Sequence, residues 1–258
     1  MKQPFALLVL SILFAGCATE AADEPAAEEV GTTSEELKLR PLDVAFAGCS
    51  EVASVAPVPV AQARPAVPAN LALAGDGTVA PFVVRIANCS SVRVDGGPSE
   101  SGTVAQLGVG IVSPDGTGDI NNYVAWYYTT SLRLALRLQL LGISAQWAPR
   151  LDYDLSGSTL DIDVRPPSRP AFHVTSQVVE PPSSTIPFVA NWWEQRGSRL
   201  TKMSTPIPAI HFGSAQTTLT TAPRSPLASL LGAPQIASFP FLDSFNRFDA
   251  ATMTVSRN

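Results

Sequence analysis

Lysine is nearly missing from this chain: three occur in 258 residues, at positions 2, 38 and 202. No basic patch or arginine-rich helix is present, so a nucleic-acid partner is not expected. Histidine is as scarce. His173 and His211 stand 38 residues apart in separate predicted strands, without an H-x-H or H-E-x-x-H spacing, and no zinc site is predicted. The chain also lacks a G-x-S-x-G elbow, a phosphate-binding G-x-x-x-x-G-K-[ST] loop and a dinucleotide-binding G-x-G-x-x-G. No cofactor is expected. Apolar runs stay short of the roughly 20 residues that a permanent membrane helix needs, and no internal repeat is visible.

What the chain does contain begins with an export signal. Lys2 precedes an uncharged apolar run from Pro4 to Phe14, which ends in Leu13-Phe14-Ala15-Gly16-Cys17. That ending resembles the lipobox of bacterial lipoproteins, which implies lipid on Cys17 as the new N-terminus. Several acyl chains at about 0.8 kcal/mol per buried methylene hold a protein firmly on a membrane. The expected address is the cell envelope, with the membrane as partner through the lipid. Ala18, where an Asp would imply inner-membrane retention, points to the outer membrane. Residues 18–40 carry seven of the chain's 22 acids and two bases. Such a stretch cannot bury enough apolar surface to order itself and reads as an extended tether. The expected division is a signal peptide at 1–16, lipidated cysteine and tether at 17–40, and one domain at 41–258. The tether accounts for the net charge of −5, so the domain itself is nearly neutral.

Two further cysteines, Cys49 and Cys89, read as one disulfide in an exported protein, with two separate buried thiols as the alternative. Closing that loop of about 40 residues is worth roughly 3–4 kcal/mol. Short Val/Ile/Thr-rich runs alternate with Pro and Gly, and 23 prolines oppose a helical bundle. The expected fold is mainly β: a closed or nearly closed antiparallel barrel with one or two short helices. Strands are predicted from Glu51–Val60 through Pro81–Cys89, Gly102–Val112, Asn122–Thr130, Leu200–Thr205 and Ala209–Leu219 to Thr252–Val255. Within Ser131–Gly142 every even position from Leu132 to Leu140 is Leu, yet every residue between is a good helix former and Ser131 and Gly142 suit the two caps. The stretch reads as a largely buried helix with Arg133 and Arg137 on one exposed stripe. A second helix is predicted at Ser225–Leu231.

A hairpin over 152–163 should set Leu155 opposite Leu160 and put Asp152, Asp154, Asp161 and Asp163 on one face. Like charges across a sheet repel. Solvent with Arg150, Arg165 and Arg169, a bound cation, or a substrate could each offset that repulsion. The run Asn191-Trp192-Trp193-Glu194 puts one Trp on each face of a strand, and Tyr123 and Trp126 offer a second aromatic set. These four aromatics are the candidate lining of a ligand cavity, against the plainer reading of a packed barrel wall.

Arg64-Pro65-x-x-Pro68 after the first strand, Phe82–Cys89, the strand–helix–Gly unit Tyr123–Gly142, the Asn-Trp-Trp strand and Ser225–Gly232 follow one another in an order that resembles the acetoacetate decarboxylase-like barrel. The resemblance implies a barrel around an apolar cavity. It also implies a Schiff-base lysine activated by a neighbouring lysine, and here the pattern departs: Lys202 has Arg199 nearby but no second lysine. Two functions are therefore expected in competition. One is an anchored lipoprotein whose barrel binds a small apolar ligand or presents an interaction surface. The other is a decarboxylase-like enzyme for a small keto acid or other carbonyl compound, with Lys202, Glu194 or Arg64 in its cavity.

Overall fold

The computed structural model describes residues 41–167 and 170–257. The signal, Cys17, the tether and Arg169 lie outside the described residues. Thirteen strands and three short helices follow in chain order: β1 (Leu42–Pro59), α1 (Val60–Ala63), β2 (Val79–Val94), β3 (Ser99–Gly110), β4 (Ile120–Thr129), α2 (Leu132–Leu140), β5 (Ala145–Trp147), β6 (Leu151–Ser156), β7 (Thr159–Val164), β8 (Phe172–Val179), β9 (Ile186–Arg196), β10 (Arg199–Phe212), β11 (Ser214–Thr221), α3 (Pro226–Leu231), β12 (Gln235–Ile236) and β13 (Leu242–Arg257). Seven strands close into a barrel in the order β3-β2-β1-β13-β10-β9-β4, with β4 pairing back to β3. The fold is mainly β, as expected, but the barrel is mixed: β4 runs parallel to β9, and also to the appended β5. A second sheet, β12-β11-β8-β7-β6, covers part of the outside.

Each barrel strand alternates between two apolar clusters. One fills the barrel and holds Val83, Tyr127, Trp192, Met203 and Phe248. The other lies between barrel and second sheet, where Phe82, Tyr128, Trp193 and Phe245 meet Leu160, Ile162, Phe172 and Leu219. Polar groups pin the two layers together. Asp243 of β13 accepts from the Thr217 backbone N–H at 2.7 Å and hydroxyl at 2.6 Å, and from the Ser54 hydroxyl at 2.9 Å. Cys49 and Cys89 face each other across β1 and β2, 4.1 Å apart at Cα, and form the disulfide inside the barrel.

The helix over 131–142 forms with the expected cap, the Ser131 hydroxyl accepting from Leu134 N–H. Its burial is less complete than expected. Leu134 and Leu138 join the interior cluster and cover one barrel end, Ala135 is buried beside them, and Leu132, Leu136 and Leu140 are exposed. A nine-residue helix lying across an opening can bury only the stripe that faces in. The helix at 226–231 is capped by Ser225 and stopped by Gly232 in the left-handed region (φ 73°).

Two departures concern strands. The predicted strand Ala209–Leu219 is two, divided at Gly213, where a Cβ would sit 2.4 Å from the Val179 carbonyl and only a glycine lets the chain change sheets. β10 in turn runs through Pro206 and Pro208 as one strand, with a register shift between Ile207 and Ile210 where prolines cannot donate to the ladder. The 152–163 hairpin takes the expected register, Leu155 against Leu160 and Asp154 against Asp161.

Candidate functional site

The end of the barrel remote from α2 opens into a cavity of about 590 Å³. Its mouth is apolar, with Phe188 and Phe212 in edge contact at 5.7 Å and Phe241 and Leu242 exposed beside them. Its floor is polar. Glu51 of β1 and Arg85 of β2 form an ion pair (2.6 Å) whose side chains are 4% and 11% exposed. The Glu51 Oε2 that closes the pair is misaligned for a hydrogen bond, so the contact is Coulombic rather than directional. Arg85 also donates to Gln106 Oε1 at 2.7 Å, and Asn246 Nδ2 donates to Glu51 Oε1 at 3.1 Å.

Several polar atoms around this floor have no partner. Asn122 Nδ2 and Asn246 Oδ1 belong to side chains that line the cavity, and the Tyr127 hydroxyl and Trp192 Nε1 lie deeper in the interior cluster. An unmade buried hydrogen bond costs roughly 1–3 kcal/mol, so the two unpartnered amide atoms on the cavity lining mark a place where a ligand can make them. Burial raises the Tyr127 hydroxyl well above its usual range, against a smaller opposing pull from Arg85. It is therefore a neutral donor at any physiological pH.

The residues singled out from the sequence fare unevenly. Trp192 faces the barrel interior, while Trp193, Tyr123 and Trp126 belong to the outer cluster under the second sheet. One aromatic of the four is thus inside. Trp193 Nε1 donates to Asn121 Oδ1 at 2.9 Å, and the Tyr123 hydroxyl accepts from Gln195 N–H. Glu194 sits at the far end of β9, where it accepts from the Ser144 backbone N–H and hydroxyl and fixes the loop after α2. Arg64 donates to the carbonyls of Val67, Pro68 and Leu71 and clamps the turn it begins. Lys202, on the outer wall, is latched to Asp115 Oδ2 (2.7 Å) and Thr117 Oγ1 (2.5 Å), 5.3 Å above the Trp193 ring. None of Lys202, Glu194 and Arg64 lines the cavity.

The four aspartates occupy an outward face. Asp163 pairs with Arg165, which offsets part of the cross-strand repulsion, and Asp161 is in hydrogen-bond contact with His173 Nε2 at 3.0 Å. Among the described residues no cluster of three or more His, Cys, Asp or Glu is placed to hold a metal ion. Glu51, Arg85, Asn122 and Asn246 were not foreseen. Arg85 left one trace, a lone charge within the apolar run Phe82-Val-Val-Arg-Ile86, since buried charges are rare without a partner.

No protein-family model matches this sequence, and no characterised protein matches it by sequence. Solved structures do match its fold. An acetoacetate decarboxylase superposes with a TM-score of 0.59 at 12% identity, over 83% of this chain and 88% of that one. Acetoacetate decarboxylase from Legionella pneumophila subsp. pneumophila str. Philadelphia 1 gives 0.55 at 11% identity, over 81% and 84%. The enduracididine biosynthesis enzyme MppR, in complex with the condensation product of pyruvate and imidazole 4-carboxaldehyde, gives 0.52 at 14% identity, over 88% and 91%. The barrel is thus of the acetoacetate decarboxylase-like fold.

Proposed function

We propose that this barrel takes up a small, mostly apolar carbonyl compound with a neutral polar end, without forming a Schiff base. The fold lends support to carbonyl chemistry, the second of the two functions expected above, and is silent on the lipid anchor. The side chains narrow it. Lys202, the one lysine among the described residues, is held on the outer wall by Asp115 and Thr117. The observation that carries the reading is the compensated floor. Arg85 already has Glu51, so an incoming carboxylate would add an unbalanced buried charge, which costs several kcal/mol. A neutral carbonyl adds none, and its oxygen can accept from Asn122 Nδ2, which has no other partner. The apolar mouth around Phe188 and Phe212 suits an alkyl or aryl remainder. We also propose that the domain works in the cell envelope, anchored through Cys17.

Calorimetric titration of the purified protein with matched pairs of methyl ketones and keto acids tests this. The ketones should saturate one site, the acids should bind at least tenfold more weakly, and Asn122→Ala should weaken the ketones. Preferential binding of the acids, or borohydride trapping of acetoacetate or pyruvate on Lys202, would overturn the proposal in favour of a Schiff-base enzyme.

A further inference from the structure

Leu132, Leu136 and Leu140 recur every four residues and share one face of α2. They are 47%, 50% and 58% exposed, on a helix whose other apolar residues are fully buried. Trp147 extends the patch. It is 41% exposed, and its indole N–H donates to the Thr130 carbonyl, two residues before Leu132. Arg133 on the helix and Arg257, whose guanidinium donates to the Leu140 carbonyl, border the patch with positive charge. Exposed leucines with an indole and an arginine fringe are the chemistry of a helix that lies in a membrane interface.

The position of the chain's entry favours a membrane over other occupants. The 40 residues that precede the domain join it at Pro41. There Asp43 N–H donates to Asp95 Oδ1, and Asp95 Oδ2 accepts from Arg137 of α2 at 2.6 Å. One side chain therefore links the start of the domain to the helix that carries the leucines. A second copy of the chain is a poorer fit. Four side chains fall far short of the 20–30 residues, about 800 Å² a side, that a stable dimer uses.

We infer that α2 docks on the lipid surface, with its leucines and Trp147 in the headgroup–acyl boundary. This turns the cavity mouth, at the opposite barrel end, toward the aqueous side. The inference rests on the reading of Cys17 as lipidated, which supplies the proximity. Docking by four side chains is weak and reversible, and an anchor at the adjacent end of the chain makes it persistent.

The processed protein, recovered from the envelope of expressing cells, is reconstituted into vesicles of phosphatidylethanolamine and phosphatidylglycerol with brominated acyl chains. Tryptophan quenching is compared between the native sequence and Trp147→Phe, which removes the one tryptophan in the patch. The expected result is quenching of the Trp147 contribution, lost in Leu136→Gln/Leu140→Gln while the protein still floats with the vesicles. Flotation without Trp147 quenching would overturn the inference, because the domain then stands off on its tether. So would a concentration-dependent dimer in detergent that the same two substitutions abolish, since the stripe would then belong to a second copy. The anchor is read separately from the intact mass. An unlipidated protein with leucine-dependent quenching supports the docking and sinks the anchor; one that neither floats nor is quenched sinks both.

Discussion

Trp192 and Trp193 are consecutive in β9, both wholly buried, and face opposite sides of one barrel wall. Trp193, outside, has its indole nitrogen bonded to Asn121 and a lysine ammonium over its ring. Trp192, inside, has no partner for its nitrogen. The difference extends to the charges. Outside, Asp243 receives three hydrogen bonds, two of them from Thr217 that tie sheet to barrel and one from Ser54 of the neighbouring barrel strand. Inside, Glu51 and Arg85 are paired, yet amide and hydroxyl groups around them stay unmatched. A polar group with complete partners serves the fold. One left incomplete at a fixed place costs stability, and a cavity that a ligand can complete gives it a use.

Substitution on the two faces should separate these roles. The largest effect is expected inside. Glu51→Ala strands Arg85 with a buried charge and should destabilise the protein by about 3–5 kcal/mol in denaturant unfolding. The paired change Glu51→Met/Arg85→Met should recover most of that loss and abolish ketone binding. If the double variant is as unstable as the single one, the pair is structural and the contrast between the faces collapses.

The outer counterpart is smaller. Asp243→Ala leaves the Thr217 backbone N–H without its acceptor between the layers and removes a charged acceptor from two hydroxyls. About 2–3 kcal/mol is expected, with ketone affinity unchanged, because Asp243 does not line the cavity. A lost affinity would show that the second sheet shapes the mouth.

The same contrast explains what the sequence made legible. Local signals sufficed for the hairpin at 152–163, the Ser131 and Ser225 caps and the cysteine pair, since each needs only neighbours or one partner. They failed where tertiary contact decides. The N-terminal half of β1 was missed because its facing inverts near Gly48: Leu42 and Val44 before it, and Cys49 after it, all belong to the interior cluster. Most of β13 was missed as well. Leu242–Ala250 is rich in Asp, Asn, Arg and Ser, and becomes a strand because β1 pairs with its whole length. The floor was hidden for a different reason. Glu51, Arg85, Asn122 and Asn246 come from four strands, and no spacing along the chain reveals that they meet. The aromatic pair drew attention to β9, although a Trp buried outside and a Trp buried inside read alike in sequence.

The smallest expected effect concerns the outer wall, and it bears on whether Lys202 could ever reach a substrate. Burial pushes the Asp115 carboxyl up, but hydrogen bonds from the Lys202 ammonium and from Thr117 outweigh it and hold the group at about 2. A carboxyl whose value falls on folding stabilises the protein above its unfolded value of about 3.9, and that contribution fades as pH drops through about 2. Lys202→Met should therefore move the Asp115 titration up toward 3.8, read from side-chain carboxyl NMR shifts, with little change in melting temperature at neutral pH. It should also remove some of the sensitivity to acid between about pH 4 and pH 2. Ketone binding should be untouched. An Asp115 titration that ignores the substitution would mean that the latch is not made in solution. The lysine would then be free to move, and the clean division between an outer wall that holds the fold and an inner floor that holds the ligand would fail at the one residue on which a Schiff base depends.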